Sequence, residues 1–249
     1  MNALEGIDVG FDFRWDTPPG KDPDSCSGTL LRYHRLLWSK PLPSGMMFDL
    51  DDSTRGDYLH HKSELGEFHL TSDAVVPSFR YLQMVKDDVP AEELGQFIHV
   101  GYTMGGMMLF PGNQVGRKMA VNPARGCHPR IKDRFDLTLE CIRRHYTGEW
   151  SPLGEVLGRY DDFFKLFVDF RGYVDYFLLQ DAVTVDSSAV IFCTSFEDFT
   201  TSPIPQSVDE YQEYRLRAIA FIAARNRRIQ RQGLAHLRSD NPPTRTKLS

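Results

Sequence analysis

The sequence predicts one α+β domain, in which a largely antiparallel sheet from the N-terminal half is packed by helices from the C-terminal half. Three observations support this fold class. Short apolar runs bounded by glycine and proline lie mostly before residue 112, apolar residues at helical spacing dominate after Gly126, and an apolar run at 190–193 returns as a late strand. Strands followed by helices are the α+β order. We assign residues 1–238 to the domain and 239–249 to a disordered basic tail.

The N-terminal half carries most of the strand predictions. Apolar and polar residues alternate over 11–15, and short apolar runs at 46–50 and 67–71 are bounded by turn-forming residues. A period of two places successive side chains on opposite faces, which predicts half-buried strands. Between the first two strands, Ser27 is placed to cap a helix that ends near Ser39.

A glycine pair predicts a tight hairpin. Two apolar runs within residues 96–111 flank Gly105 and Gly106. The common two-residue hairpin turns need positive φ, which glycine adopts readily. We therefore predict two antiparallel strands paired about this turn.

Helices are predicted for most of the C-terminal half. Apolar residues recur every three to four positions over 135–146, on a helix that we expect to begin near Asp133. A second helix should begin at Pro152, since proline suits the first helical position. Residues 207–210 match a capping box, with serine at the N-cap and glutamate three residues later, and predict a long helix to about Gln230.

Composition and charge narrow the class of protein. Hydrophobic residues make up 41% and charged residues 25% of the 249 residues, which is typical of a folded globular protein. The 4 cysteines are well separated and no signal segment is recognisable, so we expect reduced thiols and a cytoplasmic protein. No apolar run is long enough to cross a membrane. The net charge of −5 is uneven, because the segment 215–249 is basic.

Six stretches of the chain form a recognisable pattern: TPPGKDPD (17–24), LLWSKPLP (36–43), LGEF (65–68), NPARG (122–126), DRFDLTLECIRRHY (133–146) and FRGYVDYFLLQD (170–181). Together they resemble an uncharacterised family of bacterial hypothetical proteins of about this length, over nearly the whole chain. The resemblance implies a bacterial or phage source. It implies no activity, because none is attached to the family.

Three carboxylates are the first candidate for a catalytic or metal site. Asp133, Asp136 and Glu140 follow the helical spacing i, i+3, i+7 and would share one face. Ionised carboxylates this close repel each other, so the spacing predicts a compensating cation, and oxygen ligands suit Mg²⁺ or Mn²⁺. Asp136 and Glu140 are then the catalytic candidates. The alternative is local ion pairing, since Arg143 and Arg144 follow Glu140 at helical spacing.

A glycine-containing turn is the second candidate, for anion binding. Asn122, Arg125 and Arg130 lie just before the carboxylate-bearing helix, with His128 between them. Backbone N–H groups at a helix start, with arginines nearby, can bind a phosphate, and His128 is suited to transfer protons. Lys40, just past the first predicted helix, is a further substrate-binding candidate. The alternative is a connecting loop with exposed basic residues, and no phosphate-binding glycine motif is present.

A basic stripe is predicted on the long C-terminal helix. Arg215, Arg225 and Arg228 fall close to one line along it, where they could contact the phosphates of a nucleic acid. Alternatively, cations near the end of this helix offset its dipole.

These features predict an enzyme that acts on a phosphate-bearing substrate, such as a nucleotide or nucleic acid, with Mg²⁺ or Mn²⁺ as candidate cofactors. The first alternative is a non-catalytic protein that binds nucleic acid or an acidic partner through the basic helix. The second is an ADP-ribosyltransferase-like enzyme, whose strand-borne residues would be His60, then Thr71 or Ser72, and finally Glu197. The sequence leaves the oligomeric state open.

Overall fold

The computed structural model describes residues 6–239 except 114, 116 and 117, and the α+β prediction is confirmed. Its strands form a three-stranded and a two-stranded antiparallel sheet. They are β1 (Lys40–Pro41), β2 (Met47–Phe48), β3 (Leu59–Ser63), β4 (Gly66–Ala74) and β5 (Met107–Pro111). The helices are α1 (Pro23–Cys26), α2 (Gly28–Trp38), α3 (Gln83–Asp88), α4 (Ala91–Gly101), α5 (Val121–Cys127), α6 (Phe135–Thr147), α7 (Gly154–Gly158), α8 (Asp161–Lys165), α9 (Phe170–Tyr176) and α10 (Val208–Ser239).

Strand β4 is the centre of the larger sheet. It pairs with β3 on one side and with β5 on the other, both antiparallel. The run predicted at 67–71 is therefore part of a longer strand. Leu70 is buried in the hydrophobic core, whereas His69, Thr71 and Asp73 lie on the other face, because side chains alternate along a strand.

One large hydrophobic core joins this sheet to the C-terminal helices. Aromatic side chains dominate it: the ring centroids of Phe167 and Tyr173 lie 5.3 Å apart, and Trp38 and Phe177 are also separated by 5.3 Å. A smaller cluster around Phe79 packs against α10. Such pairs contribute about 0.5–1.5 kcal/mol each beyond the area that they bury.

The predicted hairpin around Gly105 and Gly106 is wrong. Residues 96–101 belong to helix α4, and the two glycines lie in a 3₁₀ turn before β5. The glycines are required here for close packing, because a Cβ at Gly105 would overlap the carbonyl oxygen of Ile222 on α10. A Cβ at Gly106 would overlap the Gly101 carbonyl oxygen in the same way.

Two further strand predictions are corrected. Residues 11–15 form consecutive turns, held by the backbone N–H of Phe13 donating to the Tyr102 carbonyl at 3.1 Å. Residues 190–193 form no strand, and Val190 makes only an isolated bridge with Val183. In each place one apolar side chain, Phe13 or Val190, is buried without the ladder of hydrogen bonds that defines a strand. A buried apolar residue alone therefore does not distinguish a strand from a turn.

The helices predicted after Ser27, over 135–146 and after Ser207 are confirmed as α2, α6 and α10. The Ser27 hydroxyl accepts the Leu30 N–H at 3.1 Å, as an N-cap should, and α10 begins just after Ser207 and extends to Ser239. The helix predicted from Pro152 is broken into the short α7 and α8. The tail predicted at 239–249 lies outside the described residues, apart from Ser239.

The cysteines and the helices agree with two expectations from composition. All four cysteines are free thiols. Among the described residues, no helix combines the length and the apolar character that crossing a bilayer needs.

Candidate functional site

The polar face of β4 is the centre of the candidate site. His69, Thr71 and Asp73 alternate along this face, and cross-strand pairing places His60 of β3 beside His69. Helix α1 packs against the same strand near Asp73. Charged side chains from α1, β4, α5 and the residues before α6 come together near Asp73.

Arg125 of α5 binds Asp73 from inside the protein. Its side chain is fully buried, and one guanidinium nitrogen donates to the Asp73 carboxylate. The remaining donors reach the Thr138 hydroxyl at 3.2 Å and the Asp133 carbonyl at 2.5 Å, and the Asp133 carboxylate lies 3.8 Å away. The guanidinium also lies over the Phe110 ring, 5.2 Å from its centroid. Every direction of this arginine is thus occupied, which fixes the position of Asp73.

Asp24 of α1 adds a second carboxyl group to the pair. Its side chain is buried, and one oxygen accepts the Ala74 N–H at 3.0 Å. The other oxygen, Oδ1, is buried and finds no ordinary donor within the described residues. The Asp73 carboxyl lies close enough to Asp24 that its charge raises the pKa of Asp24.

The two carboxyl groups differ in the charge that they carry near neutral pH. Burial, followed by repulsion from Asp73 and Asp22, raises the pKa of Asp24 to about 8. Burial also raises the pKa of Asp73, but the adjacent Arg125 opposes this, and its pKa is about 6. Asp24 therefore keeps its proton to a higher pH than Asp73, whose ionised form Arg125 favours. Two carboxyl groups whose pKa values differ in this way can act as acid and base.

A cavity of about 180 Å³ opens beside this pair. Asp73 and Asp133 line it together with Tyr102 and Arg80. Arg80 is exposed, and none of the ion pairs formed among residues 6–113, 115 and 118–239 involves it. A molecule in this cavity would thus meet a carboxylate, a phenol and an available guanidinium.

The predicted anion-binding turn is a helix, and its residues serve the carboxyl pair. Residues 121–127 form α5, so the expected loop is wrong. Asn122 donates to the Ser72 carbonyl at 3.0 Å, while its own carbonyl oxygen is buried without a partner in the described structure. A Cβ at Gly126 would lie 2.9 Å from the Asp133 carboxylate, which explains the glycine after Arg125.

His128 and Arg130 lie outside this site. The Nδ1 atom of His128 accepts the Arg130 N–H at 3.2 Å, and partial burial together with Arg130 lowers the histidine pKa. The Arg130 guanidinium is exposed and lies 6.0 Å from the Trp150 ring centroid. The structure therefore does not bring them to the Asp73 carboxylate, and their predicted roles have no support from the geometry.

The three carboxylates of the predicted metal site do not share a face. Helix α6 begins at Phe135, so Asp133 precedes it in a left-handed conformation with φ of 62°. Asp133 consequently points toward Arg125 and the small cavity, while the other two carboxylates lie on the helix. The helical spacing argument fails because the helix starts two residues later than expected.

Asp136 and Glu140 are occupied by arginines. Both carboxylate oxygens of Asp136 accept from Arg134, and one also accepts the Cys193 N–H at 2.8 Å. Both oxygens of Glu140 accept from the two arginines that follow it, at 2.7–2.9 Å. A metal ion would have to displace a guanidinium to reach either group, a buried one at Asp136 and partly buried ones at Glu140. Ion pairing, the alternative offered by the sequence, accounts for both carboxylates.

Lys40 lies away from the carboxyl pair, in an aromatic environment. Its ammonium donates to the Tyr176 carbonyl at 2.5 Å and lies 4.8 Å and 4.5 Å from the Trp38 and Tyr176 ring centroids. Burial, with a smaller contribution from Arg225, lowers its pKa to about 7. The side chain is taken up by these contacts, and substrate binding by Lys40 remains a prediction.

Two arginines of the basic stripe of α10, Arg215 and Arg225, are buried, and Arg228 is partly exposed. Arg225 is fully buried and donates to three backbone carbonyls at 2.8–3.1 Å. Arg215 pairs with Glu93, and Arg228 donates to both Asp181 oxygens at 2.9 Å and 3.0 Å. Phosphate binding would need these guanidinium groups in solvent, so the expectation of a nucleic-acid surface built from them is corrected.

The residues of the ADP-ribosyltransferase alternative are only partly brought together. His60 and Thr71 lie on neighbouring strands of one sheet. Glu197 lies in an exposed loop whose next residue, Asp198, pairs with Arg144 at the end of α6. No hydrogen bond among the described residues links Glu197 to the sheet.

Sequence reasoning missed Asp24, Asp73 and Arg80. Asp24 lies between the strand predicted over 11–15 and the helix capped by Ser27, where no element was predicted. Asp73 extends a strand pattern that we ended at residue 71. Polar residues recur at positions 69, 71 and 73, and this alternation indicates that one face of the sheet is polar. Its pairing with Arg125, 52 residues later, has no signal in a single sequence.

Comparison with known proteins gives a family and no activity. A family model described as a family of unknown function (DUF6994) matches residues 7–229. No curated protein and no solved structure matches the chain. The match includes every residue of the candidate site.

Proposed function

The chain belongs to this family of unknown function, and we propose that it is an enzyme in which Asp73 transfers protons to and from a small substrate that carries an anionic group. The reaction takes place in the cavity beside Asp73, between β4, α4 and Asp133. Arg80 contacts the anionic group of the substrate.

The observation that carries this proposal is the carboxyl pair of Asp24 and Asp73, with Asp24 buried and Asp73 bound by the buried Arg125 next to a cavity. Burial raises the pKa of both carboxyl groups. Stability alone gives little reason to bury such groups, because replacing buried ionic groups with apolar residues is often neutral or stabilising. Strongly perturbed carboxyl groups in a cleft are more typical of functional sites.

Asp73 has the properties of a general base near neutral pH. It is mostly ionised, it borders the cavity, and Arg125 holds its carboxylate in one position. It accepts a proton from a water or a substrate hydroxyl as that oxygen attacks, and it returns the proton to the leaving group. Asp24 keeps its own proton and donates a hydrogen bond that stabilises the ionised Asp73. General acid–base catalysis of this kind contributes about 10²–10⁴-fold to a rate.

The substrate class follows from Arg80 and from the size of the cavity. Arg80 is exposed at the cavity, and a guanidinium binds phosphate or carboxylate groups in a bidentate manner. A volume of about 180 Å³ accommodates the reacting group of a nucleotide, with the remainder outside. A phosphate-bearing substrate thus stays our proposal, with Arg80 in the place that the sequence suggested for Arg125 and Arg130.

The test is a turnover screen with the full chain and two matched variants. Nucleotides, sugar phosphates, NAD⁺ and short RNA and DNA are incubated with and without Mg²⁺ or Mn²⁺, and products are detected by ³¹P NMR and chromatography. Asp73→Asn removes the base with little change in shape. Asp162→Asn is the control, because its side chain is 89% exposed on α8.

We expect wild type and Asp162→Asn to convert at least one phosphate-bearing compound, and Asp73→Asn to lose about 100-fold or more of that rate while remaining folded. Turnover that survives in Asp73→Asn, or no turnover of any compound by the wild type, would overturn the proposal. Salt-sensitive binding to RNA without turnover would favour the non-catalytic alternative instead.

A further inference from the structure

The β3–β4 hairpin brings two histidines and a carboxylate together, away from the carboxyl pair. His60 and His69 are cross-strand partners with ring centroids 4.8 Å apart, and Asp57 lies in the segment that leads into β3. One ligand atom from each of the three residues lies within 4.8 Å of the other two. Asp57 already accepts from Nδ1 of His69 at 2.7 Å.

We propose that Asp57, His60 and His69 bind a divalent transition-metal ion of the Zn²⁺ class. Two imidazoles and one carboxylate are a common donor set for such ions, whereas Mg²⁺ and Ca²⁺ take oxygen ligands almost exclusively. In a tetrahedral site with bonds of about 2.0–2.1 Å, ligand atoms lie about 3.3 Å apart, so small rotations of these side chains complete the site.

Glu67 is placed as the supporting group for His60. Its carboxylate lies 3.0 Å from Nε2 of His60, and its second oxygen accepts from Lys62 at 3.0 Å. A carboxylate on one ring nitrogen fixes the tautomer and leaves the lone pair on the other nitrogen for a metal. That other nitrogen, Nδ1, now lies 3.2 Å from the Thr54 hydroxyl, which a metal ion would displace.

The site is accessible and leaves one coordination position open. The side chains of His69 and Asp57 are 31% and 24% exposed, and both residues line a cavity of about 700 Å³ with Tyr58, Thr71 and Asn113. Three protein ligands and one open position are typical of zinc ions that bind a water or a substrate. The metal thus faces a cavity large enough for a small molecule.

This site is separate from the carboxyl pair. His69 and Asp73 are four residues apart on one strand, which is about 13 Å. The metal proposal therefore does not rest on the proposed function of Asp73, and either can fail alone.

The test is a titration of the metal-stripped full chain with Zn²⁺ by calorimetry and with Co²⁺ by visible absorption. We compare wild type with His60→Asn, His69→Asn and Glu67→Gln, and use His128→Asn as the control outside the cluster. Circular dichroism without metal shows whether each variant is folded. Because Cys26 and Cys127 are exposed, Co²⁺ spectra also report any thiolate ligation.

We expect one ion per chain, tetrahedral Co²⁺ absorption without thiolate charge-transfer bands, and unchanged binding in His128→Asn. Glu67→Gln should weaken binding about 10–100-fold, and each ligand substitution should weaken it more. The proposal is overturned by thiolate bands, by the absence of binding in the wild type, or by a folded His69→Asn that binds as tightly as the wild type.

Discussion

Replacing Asp24 with asparagine should stabilise the protein at neutral pH. The folded-state pKa of Asp24 is raised from 3.8 to about 8, so the folded chain retains a proton that the unfolded chain releases. The stability contributed by this carboxyl is complete below about pH 4 and is lost as the pH rises toward 8. The asparagine side chain is neutral at every pH, and it can still accept the Ala74 N–H and donate to Asp73.

The size of the effect follows from the shift. Each pKa unit corresponds to about 1.4 kcal/mol. The raised pKa of Asp24 therefore lowers the free energy of unfolding of the wild type by up to about 4 kcal/mol at pH 7 and about 2 kcal/mol at pH 5. These are upper limits, because an amide reproduces only part of the hydrogen bonding of a carboxyl group. Urea denaturation of both proteins at pH 5, 6, 7 and 8 measures the difference.

The expected result is a stability advantage of Asp24→Asn that grows from pH 5 to pH 8. Parallel pH profiles for the two proteins would refute the reasoning, since they would mean that Asp24 titrates equally in the folded and unfolded chains. If the variant is more stable but less active, the buried carboxyl is retained for function at a cost in stability.

Three other substitutions test the packing and ion-pair arguments. Arg125→Met should destabilise by about 3–5 kcal/mol in urea denaturation, because the half-buried Asp73 carboxylate loses its cation, while Arg130→Met should change stability by less than about 0.5 kcal/mol. Gly105→Ala should cost about 1–3 kcal/mol, since its Cβ would meet α10, whereas Gly95→Ala, open to solvent on α4, should gain about 0.5–1 kcal/mol by the same assay. Asp136→Ala should cost about 3–5 kcal/mol by leaving a buried arginine unpaired, and should leave Zn²⁺ binding by calorimetry unchanged in the protein that remains folded.

Local signals in the sequence predicted the fold where the structure depends on local contacts. Ser27 caps α2 through its own hydroxyl, and α10 begins where the capping-box residues predicted. The alternation along β4 was visible for the same reason. The hairpin prediction at Gly105 was wrong because glycine occurs both in tight turns and where two backbones pack closely. Only the position of α10, more than 100 residues later in the chain, shows that close packing requires the glycine here.

The candidate site was predicted in part. The sequence pointed to the segment containing Asn122 and Arg125 as part of a site, but with a role in anion binding. In the structure Arg125 holds the carboxylate of Asp73 instead. The difference arises because Asp73 reaches Arg125, and Asp24 reaches the end of β4, only through tertiary packing. Asp136 shows the opposite case, where the arginine partner two residues away was within reach of the sequence and ion pairing was the better interpretation.

The different protonation of Asp24 and Asp73 is measured most directly by ¹³C NMR titration of the aspartate carboxyl groups. Assignment uses the asparagine variants of each residue. We expect one of these carboxyls to remain protonated at pH 7, with an apparent pKa near 8, and the other to be mostly ionised, with an apparent pKa near 6. Two carboxyls that both titrate near pH 4 would contradict the acid–base site.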